Sequence, residues 1–225
     1  MQTESSPGQF WNQRFSAQGA IWGEAVSPTL NLALQHFSPK CRILEIGFGY
    51  GRDLAELARF GFKVTGIDPS VEGKRLALER LDLLGVSDED LITSTFEQAI
   101  VPSTKFDAVL SHRMLHLMTS PASIDQFVQK LVEFTSRDGL ICIGARDVRG
   151  LDISEMHSSG SGIYEYRNRP GHLIRFWSEE KFREIFEPNF EIILLQQAVE
   201  QEAMDNPVPC HLTIMLAKNR GNKTI

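Results

Sequence analysis

The apolar residues of this chain follow two alternating rhythms. Compact apolar runs at 43–46, 62–68, 91–95, 106–112 and 140–144 have the length and make-up of strands in a sheet covered on its faces. Between them, apolar residues recur three and four apart: Leu54, Leu57 and Ala58; then 71–84 with Leu76 and Leu83; then Ile124, Phe127, Val128, Leu131 and Val132. That spacing gathers one apolar stripe on a helix. Start signals agree with it. Ser27-Pro28, Ser120-Pro121 and Ser178-Glu179-Glu180 each put a serine where its hydroxyl caps a helix, with proline or acid in the first turn. The first opens a helix burying Leu30, Ala33, Leu34 and Phe37, and the last runs to Phe186. Two longer strands, 190–199 and 210–217, close the chain, with 200–209 expected as a loop between them. Strands alternating with helices predict an α/β domain on a mostly parallel sheet, and the final pair suits a hairpin on one edge. From 146 to 170 no period repeats, so 146–175 is expected to be a lid or substrate loop.

The sharpest local feature joins the first strand to the first helix of that series. Glu45-Ile46-Gly47-Phe48-Gly49-Tyr50-Gly51 carries three glycines at alternate positions. A sharp strand-to-helix bend that must also admit a ligand close to the backbone has no room for a Cβ, and the amides opening the helix favour a negative group. A dinucleotide fingerprint requires a small residue at position 52, where Arg52 stands instead. Asp68 ends the next strand roughly 20 residues beyond the turn, where a carboxylate accepts ribose hydroxyls.

The motif Glu-x-Gly-x-Gly-x-Gly resembles the first motif of the class I methyltransferases that use S-adenosylmethionine, and the likeness extends over residues 10–217. The resemblance implies a Rossmann-like three-layer α/β sandwich, with a mostly parallel seven-stranded sheet and an antiparallel C-terminal hairpin strand. It also implies S-adenosylmethionine as cofactor, S-adenosylhomocysteine as product, and in-line methyl transfer to a small-molecule acceptor. In that family a leader of the form Trp-x-x-Arg-Phe followed by Trp-Gly folds over the cofactor. The cofactor-binding set implied here is Trp11, Arg14, Trp22, Glu45, Gly47, Gly49, Gly51, Arg52, Asp68, Pro69, Thr95, Phe96 and Ser111. Two departures stand out. Thr95 replaces the usual acid at the third strand's end, with Glu97 as a substitute, and no Asn-Pro-Pro-Tyr follows the fourth strand. The leader-and-lid layout resembles the tellurite-resistance and thiopurine branch.

A general base is needed only if the acceptor arrives protonated. His112 is the first candidate and His172 the second, while His116 reads as structural. His157, Tyr164, Tyr166, Arg167, Arg169 and Arg175 are the candidates for acceptor recognition. With 225 residues the chain suits a single domain at 10–220, with a cofactor-covering cap at 10–40 and a disordered leader at 1–9. A net charge of −6 and no basic run argue against a nucleic-acid partner. No apolar stretch reaches the roughly 20 residues of a membrane span, and the N-terminus lacks a signal-peptide layout, so no membrane partner and a cytoplasmic location are expected. The three cysteines have no metal or redox spacing and are expected to be reduced core thiols; no metal site is expected. A monomer or weak homodimer is expected. The alternatives are a non-catalytic S-adenosylmethionine-binding scaffold and, third, a nicotinamide oxidoreductase.

Overall fold

The computed structural model describes residues 7–101, 105–150, 154, 156–167, 171–204 and 206–221. Seven strands form the main sheet: β1 (Arg42–Ile46), β2 (Lys63–Asp68), β3 (Leu91–Thr93), β4 (Phe106–His112), β5 (Thr135–Arg146), β9 (Phe190–Ala203) and β10 (Asn206–Asn219). Their order is β3-β2-β1-β4-β5-β10-β9, and only β10 runs against its neighbours. The apolar runs are continuous because successive residues serve opposite faces. Leu44, Val109, Ile141 and Ile143 pack under α5 (Pro121–Phe134) and α6 (Glu179–Phe186). Ile43, Ala108, Leu110 and Cys142 pack under α2 (Pro28–Ala33), α3 (Arg52–Arg59) and α4 (Val71–Leu81). The predicted three-layer α/β architecture is therefore the observed one.

β1 sits between β2 and β4, so the chain leaves it toward opposite sides of the sheet. Such a reversal opens a crevice beyond the strands' carboxyl ends. The serine caps form as expected, Ser27, Ser120 and Ser178 each accepting a hydrogen bond from the first turn of α2, α5 and α6, and Ser70 does the same for α4. The cysteines are free and buried, and burial pushes the Cys41 and Cys210 thiols up to about 11.

Four expectations need correction. Residues 7–9 are not a disordered leader but the first turn of α1 (Pro7–Gln18), which docks on α4: Asn12 Oδ1 accepts from Ser70 Oγ at 2.7 Å and from the Glu72 amide at 3.0 Å. Positions 1–6 lie outside the described residues. The 146–175 segment is not a patternless loop; it contains a second antiparallel sheet of β6 (Met156–Gly160), β7 (Ile163–Tyr166) and β8 (Leu173–Arg175). Strands this short give a period-two pattern too few repeats to register. Segment 200–209 is not a loop either, since β9 runs through Ala203 and β10 starts at Asn206. Its Glu-Gln-Glu sequence reads as solvated, yet Glu202 is buried against arginines of the sheet end. The third strand stops at Thr93, two residues early, leaving Thr95 and Phe96 in the loop beyond it.

Candidate active site

The crevice above β1 holds a cavity of about 440 Å³, within the size range of small-molecule sites. Its floor is the glycine turn. The Gly49 amide donates to Asp68 Oδ2 at 2.9 Å and the Ser70 amide to Oδ1 at 2.8 Å, so one carboxylate ties the turn after β1 to the start of α4. Gly49 takes φ 56°, and a Cβ there would press to 3.3 Å from the Phe15 ring. Burial, partly offset by those two amides, raises Asp68 to about 6. Glu45, at the end of β1, is 3% exposed, and its Oε2 has no hydrogen-bond partner among the described residues. Burial first, then the charge of Asp53, pushes its carboxyl well above the usual range.

An aromatic roof covers the turn. Trp22 stacks on Tyr50 with centroids 6.0 Å apart, and Phe15 meets both rings nearly edge-on. The Tyr50 hydroxyl donates to the Gly23 carbonyl at 2.7 Å and accepts the Trp22 amide at 3.2 Å, pinning the leader across the cavity. Arg113 lies under Trp22, its guanidinium carbon 5.4 Å from the ring centroid. The hairpin end fixes it there. Arg113 pairs with Glu200 at 3.3 Å and Glu202 at 3.0 Å, Arg146 meets Glu202 at 3.1 Å, and the Met204 amide reaches the Ile21 carbonyl at 2.8 Å.

Residues 43–139 match the family described as methyltransferase domain. That segment runs from β1 into the start of β5. Three solved structures share its architecture. The 1,6-didemethyltoxoflavin-N1-methyltransferase of Burkholderia thailandensis, solved with 1,6-didemethyltoxoflavin and S-adenosylhomocysteine, is 18% identical; the match covers 97% of this chain and 92% of that one, with a TM-score of 0.68. The N-methyltransferase NodS of Bradyrhizobium japonicum WM9, in complex with S-adenosylhomocysteine, is 17% identical over 96% of this chain and 99% of its own, with a TM-score of 0.67. TehB of Haemophilus influenzae is 17% identical over 93% and 67% of the two chains, with a TM-score of 0.63. At these identities the likeness is one of fold. Comparison with curated proteins returns no match.

Of the residues predicted from sequence, Trp11, Trp22, Glu45, Gly47, Gly49, Arg52, Asp68, Pro69, Thr95 and Phe96 line this one cavity, as do Glu97 and His112. Three of the cofactor set stand apart from its wall. Gly51 faces α4, where a Cβ would come within 2.7 Å of the Ala77 Cβ. Ser111 is fully buried and donates to the Ile46 carbonyl at 3.0 Å, tying β4 to β1. The Arg14 guanidinium carbon sits 5.5 Å from the Trp11 ring centroid. His172 is also outside the wall, stacked between Phe10 of α1 and Tyr166 of β7 with centroids at 5.2 and 6.3 Å. Arg175 donates to the carbonyls of Ser161 and Thr119 at 2.9 Å each, and His157 is exposed on β6. Arg169 lies outside the described residues.

His112 has both ring nitrogens engaged: Nδ1 lies 2.8 Å from Thr29 Oγ1 and Nε2 lies 3.0 Å from Glu200 Oε1. Burial alone would raise Glu200, but His112 and then Arg113 outweigh it and hold the carboxyl at about 2. An ionised carboxylate only accepts, so Nε2 carries a proton and donates it to Glu200. In this geometry His112 is committed to Glu200 through Nε2 and to the Thr29 hydroxyl through Nδ1. His116 is buried, and burial together with Arg146 and Arg113 keeps it well below the usual imidazole range and so neutral. Sequence reasoning missed Thr29, Tyr50, Glu200, Glu202 and Arg146. Tyr50 sits inside the glycine motif and was the one with a local signal.

Proposed function

We propose that this chain transfers the methyl group of S-adenosylmethionine to a small-molecule acceptor. One observation carries the reading: the glycine turn and Asp68 meet in the wall of a single roofed cavity, a backbone cradle beside a carboxylate fixed by two amides. The residues suit that cofactor. Each Asp68 oxygen keeps acceptor capacity for ribose hydroxyls after receiving its amide. Phe96, Leu117 and Met118 supply apolar wall for a base, and the unpartnered Glu45 Oε2 offers an acceptor toward a cation.

When bound, S-adenosylmethionine supplies a methyl on a cationic sulfur, which a positioned nucleophile displaces. The protein's part is alignment and exclusion of water. Trp11, Phe15 and Trp22 form the water-excluding roof, held by Tyr50 from below and by Arg113 from the hairpin side. The leader at 10–40 is read as the cofactor cover, and the 146–175 insertion, joined to α1 through Phe10, His172 and Tyr166, as the acceptor side. No cavity-facing residue is assigned as general base, so the favoured acceptors are nucleophiles that react neutral or already ionised.

The test is turnover. Methyl-labelled S-adenosylmethionine is incubated with the protein and panels of thiols, phenols and heteroaromatic amines. Labelled product together with released S-adenosylhomocysteine is expected. Stable cofactor binding with no turnover across the panels would favour the non-catalytic scaffold instead.

A further inference from the structure

Two polar atoms on the turn after β4 are buried with nothing to bond. Arg113 Nε and His116 Nδ1 have no hydrogen-bond partner among the described residues; the Arg113 side chain is 8% exposed and His116 is 5% exposed. Folded proteins pair nearly all such groups, and leaving one unpaired is costly. The backbone is strained at the same place. Arg113 takes φ 55°, in the left-handed region that non-glycine residues rarely enter, and strain of this kind gathers at ligand sites.

The turn stands between two chambers. Arg113 lines the cavity beneath Trp22. Leu117, next to His116, faces both ways: it lines the cavity and packs on the apolar cluster of Met156, Ile174 and Phe176 at the small sheet. His116 itself is close enough to Arg146, Arg113, His172 and His112 to feel their charges. The unpaired atoms therefore belong to the partition between the cavity and the insertion read above as the acceptor side.

We propose that Arg113 and His116 anchor the methyl acceptor, and that this acceptor is an uncharged, planar heteroaromatic compound with a carbonyl oxygen or ring nitrogen beside a polar hydrogen. The inference rests on the function proposed above and concerns the acceptor alone. Arginine Nε only donates, so it calls for an accepting atom on the ligand; a neutral imidazole nitrogen accepts or donates according to its tautomer and takes the adjoining polar atom. The surroundings are flat. Trp22 lies over Arg113 on one side, and on the other Phe10, His172 and Tyr166 stack in a column that ends on the Arg146 guanidinium, 5.5 Å from the Tyr166 centroid. Such faces favour an aromatic ring. Charge is already matched, because Arg113 and Arg146 meet Glu200 and Glu202, and an ionic acceptor would stand unpaired in a desolvated site. Both atoms are sealed in this closed arrangement, so the acceptor enters by parting the small sheet from Leu117.

The experiment is calorimetric titration of the full chain saturated with S-adenosylhomocysteine, using carbostyril and hypoxanthine, which are flat and carry a lactam edge, and cyclohexanethiol, which has neither feature. The titrations are repeated on His116→Leu and on His116→Asn, whose amide restores a polar atom near the Nδ1 position. A flat probe is expected to bind the wild-type complex saturably and the thiol not at all. His116→Leu should weaken that probe about tenfold or more, through one ligand atom left unpaired, and His116→Asn should recover most of the loss. S-adenosylhomocysteine affinity should stay within about twofold in both variants, as for a separate site. His116→Leu should also melt at or above the wild-type temperature, since no buried nitrogen is then left unpaired. Binding of the thiol in place of the flat probes, binding of no probe, undiminished probe affinity in His116→Leu, or a His116→Leu protein that melts well below wild type overturns the inference and leaves the proposed function intact. Failure of the wild type to bind S-adenosylhomocysteine overturns the proposed function itself, and this inference with it.

Discussion

Two glycines of one turn are predicted to fail in different ways. Gly51 has φ 77° at the N-cap of α3, and an added Cβ would lie 2.7 Å from the Ala77 Cβ and 2.9 Å from its Cα. Holding alanine in the left-handed region costs ~1–2 kcal/mol, and forcing a methyl into packed helix contact adds ~1–3 kcal/mol. Gly51→Ala should therefore lose about 3 kcal/mol, which for a chain of this size lowers Tm by roughly 6–12 °C. Gly51 is outside the cavity wall, so cofactor affinity measured well below Tm should stay near wild type. Gly49→Ala is the reverse case. Its φ of 56° carries a similar backbone cost, but the new Cβ meets the end of the Phe15 ring at 3.3 Å and the Trp22 ring at 3.8 Å, filling space between the turn and the roof. It should lower Tm by less and weaken cofactor binding about tenfold or more, since cradle and roof must both move apart. Thermal unfolding by circular dichroism, paired with equilibrium dialysis of labelled cofactor, separates the two. A Gly51→Ala protein that melts with wild type, or a Gly49→Ala protein that binds with wild type, would refute this division of labour.

Other variants probe the roof and the hairpin end. Tyr50→Phe removes the hydroxyl bonded to Gly23 and Trp22; a loss of ~1–2 kcal/mol in urea unfolding and a severalfold weaker cofactor Kd are expected. Arg113→Met strips the cation from Glu200 and one of two from Glu202 and should cost ~3–5 kcal/mol in the same assay. Glu200 sits at about 2 in the folded protein against 4.5 ordinarily, so its stabilisation is full above 4.5 and disappears as pH falls toward 2. Glu200→Gln should accordingly flatten the decline of unfolding free energy across that window by ~2 kcal/mol, and a variant that parallels wild type throughout it would contradict the pairing.

Much of the fold was legible because its signals are local. The strands around the crevice show as short apolar runs, the helices as three-four spacing behind serine caps, and the turn as glycines followed by an acid at the next strand's end. The position of His112 could be read in the same way. Its role could not, because the partners that fix its ring, Thr29 and Glu200, are 83 and 88 residues away. The Thr29 contact also depends on Gly144, where a Cβ would fall 2.1 Å from the threonine hydroxyl. The Arg113, Arg146, Glu200 and Glu202 cluster was invisible for a related reason. Alternating acids on a hairpin look solvated until the fold sets arginines from β5 and the loop after β4 beneath them. Ser111 stands near the end of β4, but it is fully buried and its hydroxyl turns inward to β1. Sequence fixes which residue stands at a strand end more readily than which way its side chain points.

The central claim is that the glycine turn and Asp68 together hold S-adenosylmethionine. Equilibrium dialysis of labelled S-adenosylmethionine against the wild type and Asp68→Ala tests it most directly, with unfolding curves confirming that both are folded. Saturable binding of one ligand per chain, competed by S-adenosylhomocysteine and lost in Asp68→Ala, is the predicted result. Absence of binding to the folded wild type, or binding undiminished by Asp68→Ala, would contradict it.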